Sequence, residues 1–259
     1  MKKMICSVLV LAMMLCLVAC GSTYASASES PADSSALPEA GQQPEDPAPY
    51  GIPLWASADD VDLAVLFSAY NQKSLLQHAD SVEKAEIISD AYSDVHASYS
   101  YCRDGDRYVE NILITSPDAE SYIPTTTLNI YDTVNKERSV SYQKGMSLTE
   151  TPLEPEAIDT IVATCILPFN PERYTFEAVS RSVSDGHYVI AFRMHKAGET
   201  GESAETNDGV VEIDPATSLI LKYTYQWNYR TPEGSDYASE TSGRLAYNTG
   251  KGPDYSLLP

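Results

Sequence analysis

The sequence predicts an α+β fold dominated by one large antiparallel sheet. Runs of alternating apolar and polar residues follow one another through most of the chain, and short turn-forming segments separate them. The helical patterns stand apart from the strands and do not alternate with them, which disfavours a parallel βαβ architecture. A sheet of eight or more strands also tends to curl strongly.

The N-terminal segment, residues 1–19, is a predicted lipoprotein signal peptide. Two lysines precede an uncharged apolar run from Met4 to Ala19, which is too short to span a membrane comfortably. The run ends in Leu17-Val18-Ala19-Cys20, which resembles the lipobox of bacterial lipoproteins. The resemblance implies that Cys20 is acylated, for example with palmitate, and anchors the protein in the cell membrane, facing outside the cytoplasm. An ordinary signal peptide with an incidental cysteine is the alternative.

The rest of the chain divides into three predicted segments. Residues 20–54 are rich in Ser, Ala, Pro and Glu and predict a disordered tether. Residues 55–248 form a single predicted α+β domain, and residues 249–259 form a short tail. Removal of the signal peptide takes away two of the 17 basic residues, so 15 remain against 37 acidic ones, a net charge of −22. This charge excludes nucleic acid as an expected partner. It leaves open whether the charge serves solubility or attracts cations or a basic partner.

The domain opens with a predicted amphipathic helix over Ala58–Tyr70. Ser57 and Asp60 resemble a capping box. The apolar residues that recur at helical spacing are Leu63, Leu66, Phe67 and Tyr70. We expect the helix to end at Asn71-Gln72, with Ser74–His78 as a further helical turn or a loop.

Five strands are predicted next, and then one more helix. The predicted strands are Ser81–Asp90, His96–Cys102, Tyr108–Thr115, Thr125–Tyr131 and Arg138–Gln143. A strand is favoured over a helix for the first of these runs, and Arg103–Asp106 carries a hairpin signal. Pro155 suits the first position of a helix over residues 155–166, and Pro168 follows its end.

The last part of the chain returns to strands. Tyr174–Val183 and His187–His195 flank Ser184-Asp185-Gly186, a second hairpin signal. Ala197–Asp208 is rich in Gly and Glu and predicts a mobile loop. The stretch Asn207–Tyr229 then reads as two strands joined by the turn Asp214–Thr217, and Tyr237–Tyr247 reads as the final strand.

The folded region resembles the LolA/LppX/RseB-like superfamily. The resemblance is carried by the opening helix ahead of the sheet, by the broken β-meander, and by the segment GHYVIAFRM…GVVEIDPATSLILKYTY. It implies a curved, incomplete barrel with two or so helices across its concave face. It further implies an apolar cavity for an acyl chain, or a sensing role, and it assigns no residue to a site.

One feature has a functional alternative to packing, an aromatic stripe at period-2 spacing. Its residues are the candidate ligand-binding positions Tyr188, Phe192, Tyr223, Tyr225, Trp227 and Tyr229. The stripe could pack under a helix, line a cavity for a hydrophobic ligand, or stack on sugars. The excess of tyrosine over phenylalanine, 18 against four, favours a partly wet aromatic surface.

The sequence predicts neither a catalytic site nor a metal-binding site. No nucleophile elbow, zinc-protease, Walker or Rossmann motif is present, the four histidines are scattered, and acidic pairs such as Asp104 and Asp106 fit turns. We expect no cofactor. Cys102 and Cys165 are predicted to be unpaired thiols, with a disulfide as the alternative.

The predicted function is therefore that of a membrane-anchored, non-enzymatic lipoprotein that binds a hydrophobic ligand or lipid, as a carrier or an envelope sensor. A protein-interaction module with a filled core, a glycan-binding surface protein and an enzyme with an unrecognised site are the alternatives. The expected partners are the lipid membrane, through Cys20, and a hydrophobic ligand or an envelope protein.

Overall fold

The computed structural model describes residues 48–258, apart from 92, 118–123, 136, 143–148, 153–165, 170, 172, 197–205 and 231–235. Its helices are a 3-10 helix at Ala58–Asp60, α1 at Leu63–Leu66 and α2 at Ala69–His78. Its strands are β1 Ser81–Asp90, β2 Asp94–Asp104, β3 Arg107–Thr115, β4 Thr125–Asp132, β5 Glu137–Tyr142, β6 Thr149–Pro152, β7 Tyr174–Ser184, β8 His187–Lys196, β9 Thr206–Ile213, β10 Ile220–Arg230 and β11 Asp236–Tyr247.

The eleven strands of the described residues belong to one antiparallel sheet with the order β6-β5-β4-β3-β2-β1-β11-β10-β9-β8-β7. Two meanders, β1–β6 and β7–β11, meet where the first strand pairs with the last, with Val82 opposite Tyr247. The end strands β6 and β7 are not paired with each other in the described part of the chain, so the sheet does not close. The predicted fold class, a large open antiparallel sheet with few helices, is confirmed.

The main core lies on one face of the sheet, here called the inner face, against α1 and α2. Because side chains alternate across a strand, every second residue of each strand points to this face. The buried inner-face residues Val82, Ile190 and Val211 join Leu66 and Leu75 from the helices in one apolar cluster. The same cluster includes Ile52, which lies upstream of the first helix.

The predicted single helix over Ala58–Tyr70 is wrong, because two side chains restart the helix at new positions. Asp62 Oδ1 accepts hydrogen bonds from the backbone N–H groups of Ala64 and Val65, at 2.9 and 3.1 Å, and so caps α1. Ser68 Oγ accepts from the Asn71 N–H at 3.2 Å and caps α2. The α2 helix then passes through Asn71 and Gln72, where we expected an end, and continues to His78.

The predicted capping box at Ser57 and Asp60 does not form. The Ser57 side chain makes no capping hydrogen bond; its hydroxyl donates to Asp60 Oδ2 at 2.7 Å. Arg181 of β7 satisfies the end of the 3-10 helix, because its guanidinium donates to the carbonyl oxygens of Ala58 and Val61 at 2.9 and 2.7 Å.

The strands are largely where the sequence predicts them, with three differences. The short strand β6 was not predicted. Strand β9 already begins at Thr206, so the end of the predicted loop Ala197–Asp208 belongs to the sheet, and Asn207 is fully buried. A bulge in β10 between Ile220 and Lys222 brings Ile220 into the core together with Tyr223. The predicted helix over residues 155–166 lies outside the described residues except for its buried last residue, Ile166.

The opposite, outer face of the sheet is covered in one half by the end of the chain. Residues Lys251–Leu258, here called the C-terminal strap, run across the outer face of β2 to β5. The side chains of Cys102, Asn111 and Ser141 bind backbone atoms of the strap. The tail predicted at residues 249–259 therefore contributes to the packing of the sheet.

Candidate ligand-binding site

The aromatic residues predicted to bind a ligand lie on the inner face of β8 and β10. Tyr188 and Phe192 lie on β8, and Tyr223, Tyr225 and Trp227 lie on β10. Strand β9 separates the two strands, since Val211 faces Ile190 on one side and Tyr223 on the other. The structure therefore brings these five side chains to one wall of the core. The backbone of Tyr229 continues β10, and its side chain lies outside the described residues.

Two phenylalanines from outside the sheet pack onto this wall. Phe67 follows α1, and Phe169 lies in the segment that leads from β6 to β7. Their ring centroids are 4.6 Å apart. The ring of Phe169 is also 5.5 Å from each of Phe192, Tyr223 and Tyr225. At this depth the wall is filled by its own aromatic contacts, as the packing alternative predicts.

Glycines on the neighbouring strands make room for the largest rings. Phe192 lies opposite Gly209, and Tyr223 lies opposite Gly243. A Cβ atom at Gly209 would be 2.6 Å from Phe192 Cζ, and one at Gly243 would be 2.2 Å from Tyr223 Cζ. The two rings therefore occupy the space that a side chain at Gly209 or Gly243 would take.

The deep end of the wall meets a buried polar group. The Tyr223 hydroxyl donates to Glu86 Oε1, and Lys84 Nζ lies 3.5 Å from Glu86 Oε2. Lys84 and Glu86 are 6% and 7% exposed, so this is a buried ion pair with a tyrosine attached. Lys84 Nζ also lies 4.0 Å from the ring centroid of Tyr99.

Burial controls the protonation of the tyrosines at this end. Desolvation, followed by the negative charge of Glu86, raises the pKa of Tyr223 far above its ordinary value. The same two causes raise the pKa of Tyr99. Burial raises the pKa of Tyr225 to about 12. All three hydroxyls are therefore neutral hydrogen-bonding groups at physiological pH.

A second polar cluster lies on the inner face of β3 to β5. Asn129 Nδ2 donates to Glu110 Oε2 at 2.7 Å, and the Tyr131 hydroxyl donates to the same oxygen at 3.3 Å. Arg138 donates to Asn129 Oδ1 at 3.1 Å. The inner face is therefore apolar and aromatic under β8 to β10, and mixed in polarity under β1 to β5.

The aromatic wall becomes more accessible along β10. Tyr223 is 1% exposed, whereas Tyr225 and Trp227 are half-buried. The indole of Trp227 meets the ring of Tyr174 at 6.1 Å between centroids and 81° between planes. This half-buried end, formed by Tyr174, Tyr225 and Trp227, is more exposed to solvent than Tyr223 at the other end of the wall.

Sequence reasoning missed the residues that cover the wall. Phe67 was assigned to a helix face, and Phe169 carried no signal because it follows a proline in an irregular segment. The Lys84–Glu86 pair was also missed. The signal was detectable, because these two charged residues share the face of β1 that carries the apolar residues Val82 and Ile88.

The remaining predicted sites are only partly described. Cys20 and Cys165 lie outside the described residues, and Cys102 is a free, buried thiol. No group of three or more metal-ligating side chains occurs among the described residues. Within the same part of the chain, no helix is long and apolar enough to cross a membrane.

A depression of about 310 Å³ lies on the outer face, between β7 and β11. Its outward-facing lining includes Val179, Arg193, Asp208 and Val210. Arg193 Nε donates to Asp208 Oδ1 at 2.8 Å on its floor. A second depression, of about 410 Å³, lies beside the β2–β3 turn and is lined mainly by acidic and polar residues.

Comparisons with known proteins return structural likenesses at low identity. No family model matches the chain, and no curated protein matches it. LprF from Mycobacterium bovis is 9% identical with a TM-score of 0.35, over 73% of this chain and 95% of that one. A DUF1329 family protein from Desulfovibrio piger is 11% identical with a TM-score of 0.28, over 74% and 98% of the two chains. MucB in complex with MucA(peri) is 9% identical with a TM-score of 0.14, over 69% and 92%. At these identities and scores the likenesses carry no argument about function.

Proposed function

We propose that this protein is an extracytoplasmic lipoprotein, anchored in the cell membrane through acylated Cys20, that binds a hydrophobic ligand and catalyses no reaction. The observation that carries the proposal is the aromatic inner wall of an open sheet. Its described cover includes the rings of Phe67 and Phe169, which do not belong to the sheet. An acyl chain is the class of ligand that suits such a wall.

Ligand entry would proceed by replacement of Phe169. This residue lies outside regular secondary structure, so its withdrawal breaks no described helix or strand. A bound acyl chain would take over its contacts with Phe192, Tyr223 and Tyr225. Affinity would then follow the apolar area buried, at roughly 25 cal/mol per Å². The half-buried Tyr225 and Trp227 would form the entrance.

This mechanism supports either a carrier or a sensor. The empty and the loaded protein would differ in the position of Phe169 and of the segment that holds it. That segment is tied to α2, because Gln72 Oε1 accepts a hydrogen bond from the Leu167 N–H at 3.1 Å. A ligand that moves Phe169 would therefore also disturb α2, which provides a signal of occupancy.

Native mass spectrometry of the full chain, purified from membranes, tests the proposal. A mass that persists under denaturing conditions and disappears in Cys20→Ala reports the anchor. A further mass that is released under denaturing conditions and extracts into organic solvent reports the ligand. We expect Trp227→Asp to lose at least tenfold of the extractable ligand, because a charge at the entrance opposes apolar binding.

The matched control is Gln226→Asp, which adds the same charge on the outer face of the same strand. It is expected to keep the ligand. A chain with no extractable mass, even after incubation with membrane lipid vesicles, contradicts ligand binding. Equal loss of ligand in Trp227→Asp and Gln226→Asp contradicts the assignment of the wall.

A protein-interaction module is the second candidate, and an exposed patch favours it. Val179 and Val210 are 58% and 37% exposed on the described surface, and both line the outer-face depression. Apolar side chains grouped in this way are typical of contact surfaces. Cross-linking can identify an envelope partner of the ligand-free chain. Loss of that partner in Val179→Asp and in Val210→Asp would favour this function over ligand binding.

A further inference from the structure

The outer face of β2 to β5 has the features of a peptide-binding site. Outward-facing side chains at neighbouring register positions form a row, in which Asn111 pairs with Leu128 and Leu128 pairs with Ser141. Leu128 is fully buried although it points away from the main core. The C-terminal strap is held at both neighbours of Leu128, by Asn111 and by Ser141, so it passes over this leucine.

The strap is recognised through its backbone. Asn111 Nδ2 donates to the Asp254 carbonyl oxygen at 2.7 Å, and Asn111 Oδ1 accepts from the Asp254 N–H at 3.3 Å. Both polar groups of one strap residue are thus satisfied by one side-chain amide. Ser141 Oγ donates to the Leu257 carbonyl oxygen at 3.0 Å, and the Cys102 thiol donates to the Lys251 carbonyl oxygen at 3.6 Å.

Side chains of the strap add specificity. Pro253, Tyr255 and Leu257 are half-buried, whereas Asp254 and Ser256 between them are exposed. The Tyr255 hydroxyl donates to Asp104, and Lys251 Nζ lies 2.8 Å from Glu83 Oε1. The strap ends in a turn, in which the Leu258 N–H donates to the Tyr255 carbonyl oxygen at 2.9 Å. The site therefore takes a peptide that ends in a turn, with apolar or aromatic residues at alternate positions and a cation near its start.

The strap is not a strand of the sheet. Among the described backbone–backbone hydrogen bonds, the last that joins the end of the chain to the sheet is from the Asn248 N–H to the Ser81 carbonyl oxygen, at 2.9 Å. Beyond that point the strap depends on the side-chain contacts given above. Gly250, with φ +78°, turns the chain from β11 toward the outer face.

We propose that the outer face of β2 to β5 is a peptide-binding site whose resident ligand is the chain's own C-terminal strap, and that the same peptide supplied in trans can replace it. The site is separate from the inner wall, because it lies on the opposite face of the sheet. Its occupation hides Leu128, Val109 and Cys102, which are 0%, 0% and 3% exposed.

The test uses Cys102 as a reporter in the full chain. Alkylation of Cys102 is followed by mass spectrometry of the peptide that contains it, so that other cysteines do not interfere. We expect Asn111→Ala to accelerate this alkylation about tenfold, because it removes two hydrogen bonds that hold the strap. The matched control Asn228→Ala, an exposed asparagine of β10, is expected to leave the rate unchanged.

A chain that ends at Gly250 provides the second measurement. We expect its Cys102 to react at least tenfold faster than in the full chain, and a synthetic peptide of residues 251–259 to restore protection saturably. A peptide with Leu257→Asp is expected to restore none. If this shortened chain does not fold cooperatively, the Asn111→Ala rate in the full chain decides.

Three results would overturn the proposal. The first is an unchanged Cys102 rate in Asn111→Ala. The second is a folded shortened chain that the peptide fails to protect. The third is a full chain that sediments as a dimer and becomes monomeric without its strap, because the occupant would then come from a second copy.

Discussion

At the scale of single residues, the inner wall depends on pairs of an aromatic ring and a glycine across neighbouring strands. Tyr223 and Gly243 form the tightest pair, since the ring occupies the place of the missing side chain. Tyr223 is 1% exposed and its hydroxyl is held by Glu86, so the ring cannot easily move aside. The glycine is therefore a packing requirement at this position.

Gly243→Ala is expected to lower the free energy of unfolding by about 1–3 kcal/mol, because the new methyl group overpacks a filled core. Denaturant-induced unfolding measures the change. Gly252→Ala is the control, since a Cβ at that position meets nothing within 4 Å, and it is expected to stay within about 0.5 kcal/mol. Equal effects of the two substitutions would contradict this account of the wall.

The sequence predicted which of these residues face inward but not how the wall is covered. Period-2 alternation is local, so Phe192 and Tyr223 could be assigned to a face. Their glycine partners depend on cross-strand register, which a single sequence does not specify. Phe169 depends on the path of the chain between β6 and β7, and no local pattern encodes that path.

At the scale of elements, side-chain caps decide where the opening helices begin. The apolar spacing of Leu63, Leu66 and Phe67 predicted a helix correctly, but it could not show that Asp62 and Ser68 would each start a separate one. Periodicity reports which face is buried, whereas capping depends on whether a side chain finds the free N–H groups. The break matters for the site, because it places Phe67 directly after α1.

Asp62→Ala is expected to destabilise the protein by about 1 kcal/mol, because two backbone N–H groups at the start of α1 lose their acceptor. Thermal or denaturant unfolding measures the loss. Ser57→Ala removes the residue that the sequence pattern favoured as a cap, and it is expected to change the stability by less than about 0.5 kcal/mol. A larger loss of stability in Ser57→Ala than in Asp62→Ala would instead support the predicted capping box.

At the scale of the whole molecule, ionisable groups on both faces of the sheet stabilise it only within a window of pH. Hydrogen bonding and charge from Lys251 lower the pKa of Glu83, and the same contributions from Lys222 lower that of Glu212. Backbone hydrogen bonds lower the pKa of Asp132 and Asp254. These carboxylates contribute their full stabilisation when the pH is above their unfolded-state pKa, which is 4.5 for Glu and 3.8 for Asp. The stabilisation is lost as the pH falls through the lower folded-state pKa.

Tyrosines set the other limit of the window. The pKa is raised to about 12 for Tyr225 and for Tyr255, in each case mainly by burial. Such a tyrosine contributes its full stabilisation when the pH is below its unfolded-state pKa of 10.0. The stabilisation is lost as the pH rises toward the folded-state pKa.

We therefore expect the free energy of unfolding to be level between the two limits and to fall below about pH 4 and above about pH 10. Denaturant unfolding at a series of pH values measures the curve. Glu83→Gln with Glu212→Gln should flatten the acid side, and Tyr225→Phe should flatten the alkaline side. A curve that these substitutions leave unchanged would assign the losses to other groups.

The pairing of β1 with β11 has a consequence for the timing of folding. The first and last strands lie side by side in the middle of the sheet, so each meander lacks a neighbour until the other is present. Pairing between strands so distant in sequence is slow, because a long loop must close before the contacts form. A chain that emerges with its N-terminus first cannot complete this sheet until β11 has been synthesised and is free to pair, so the two meanders join only after both have emerged.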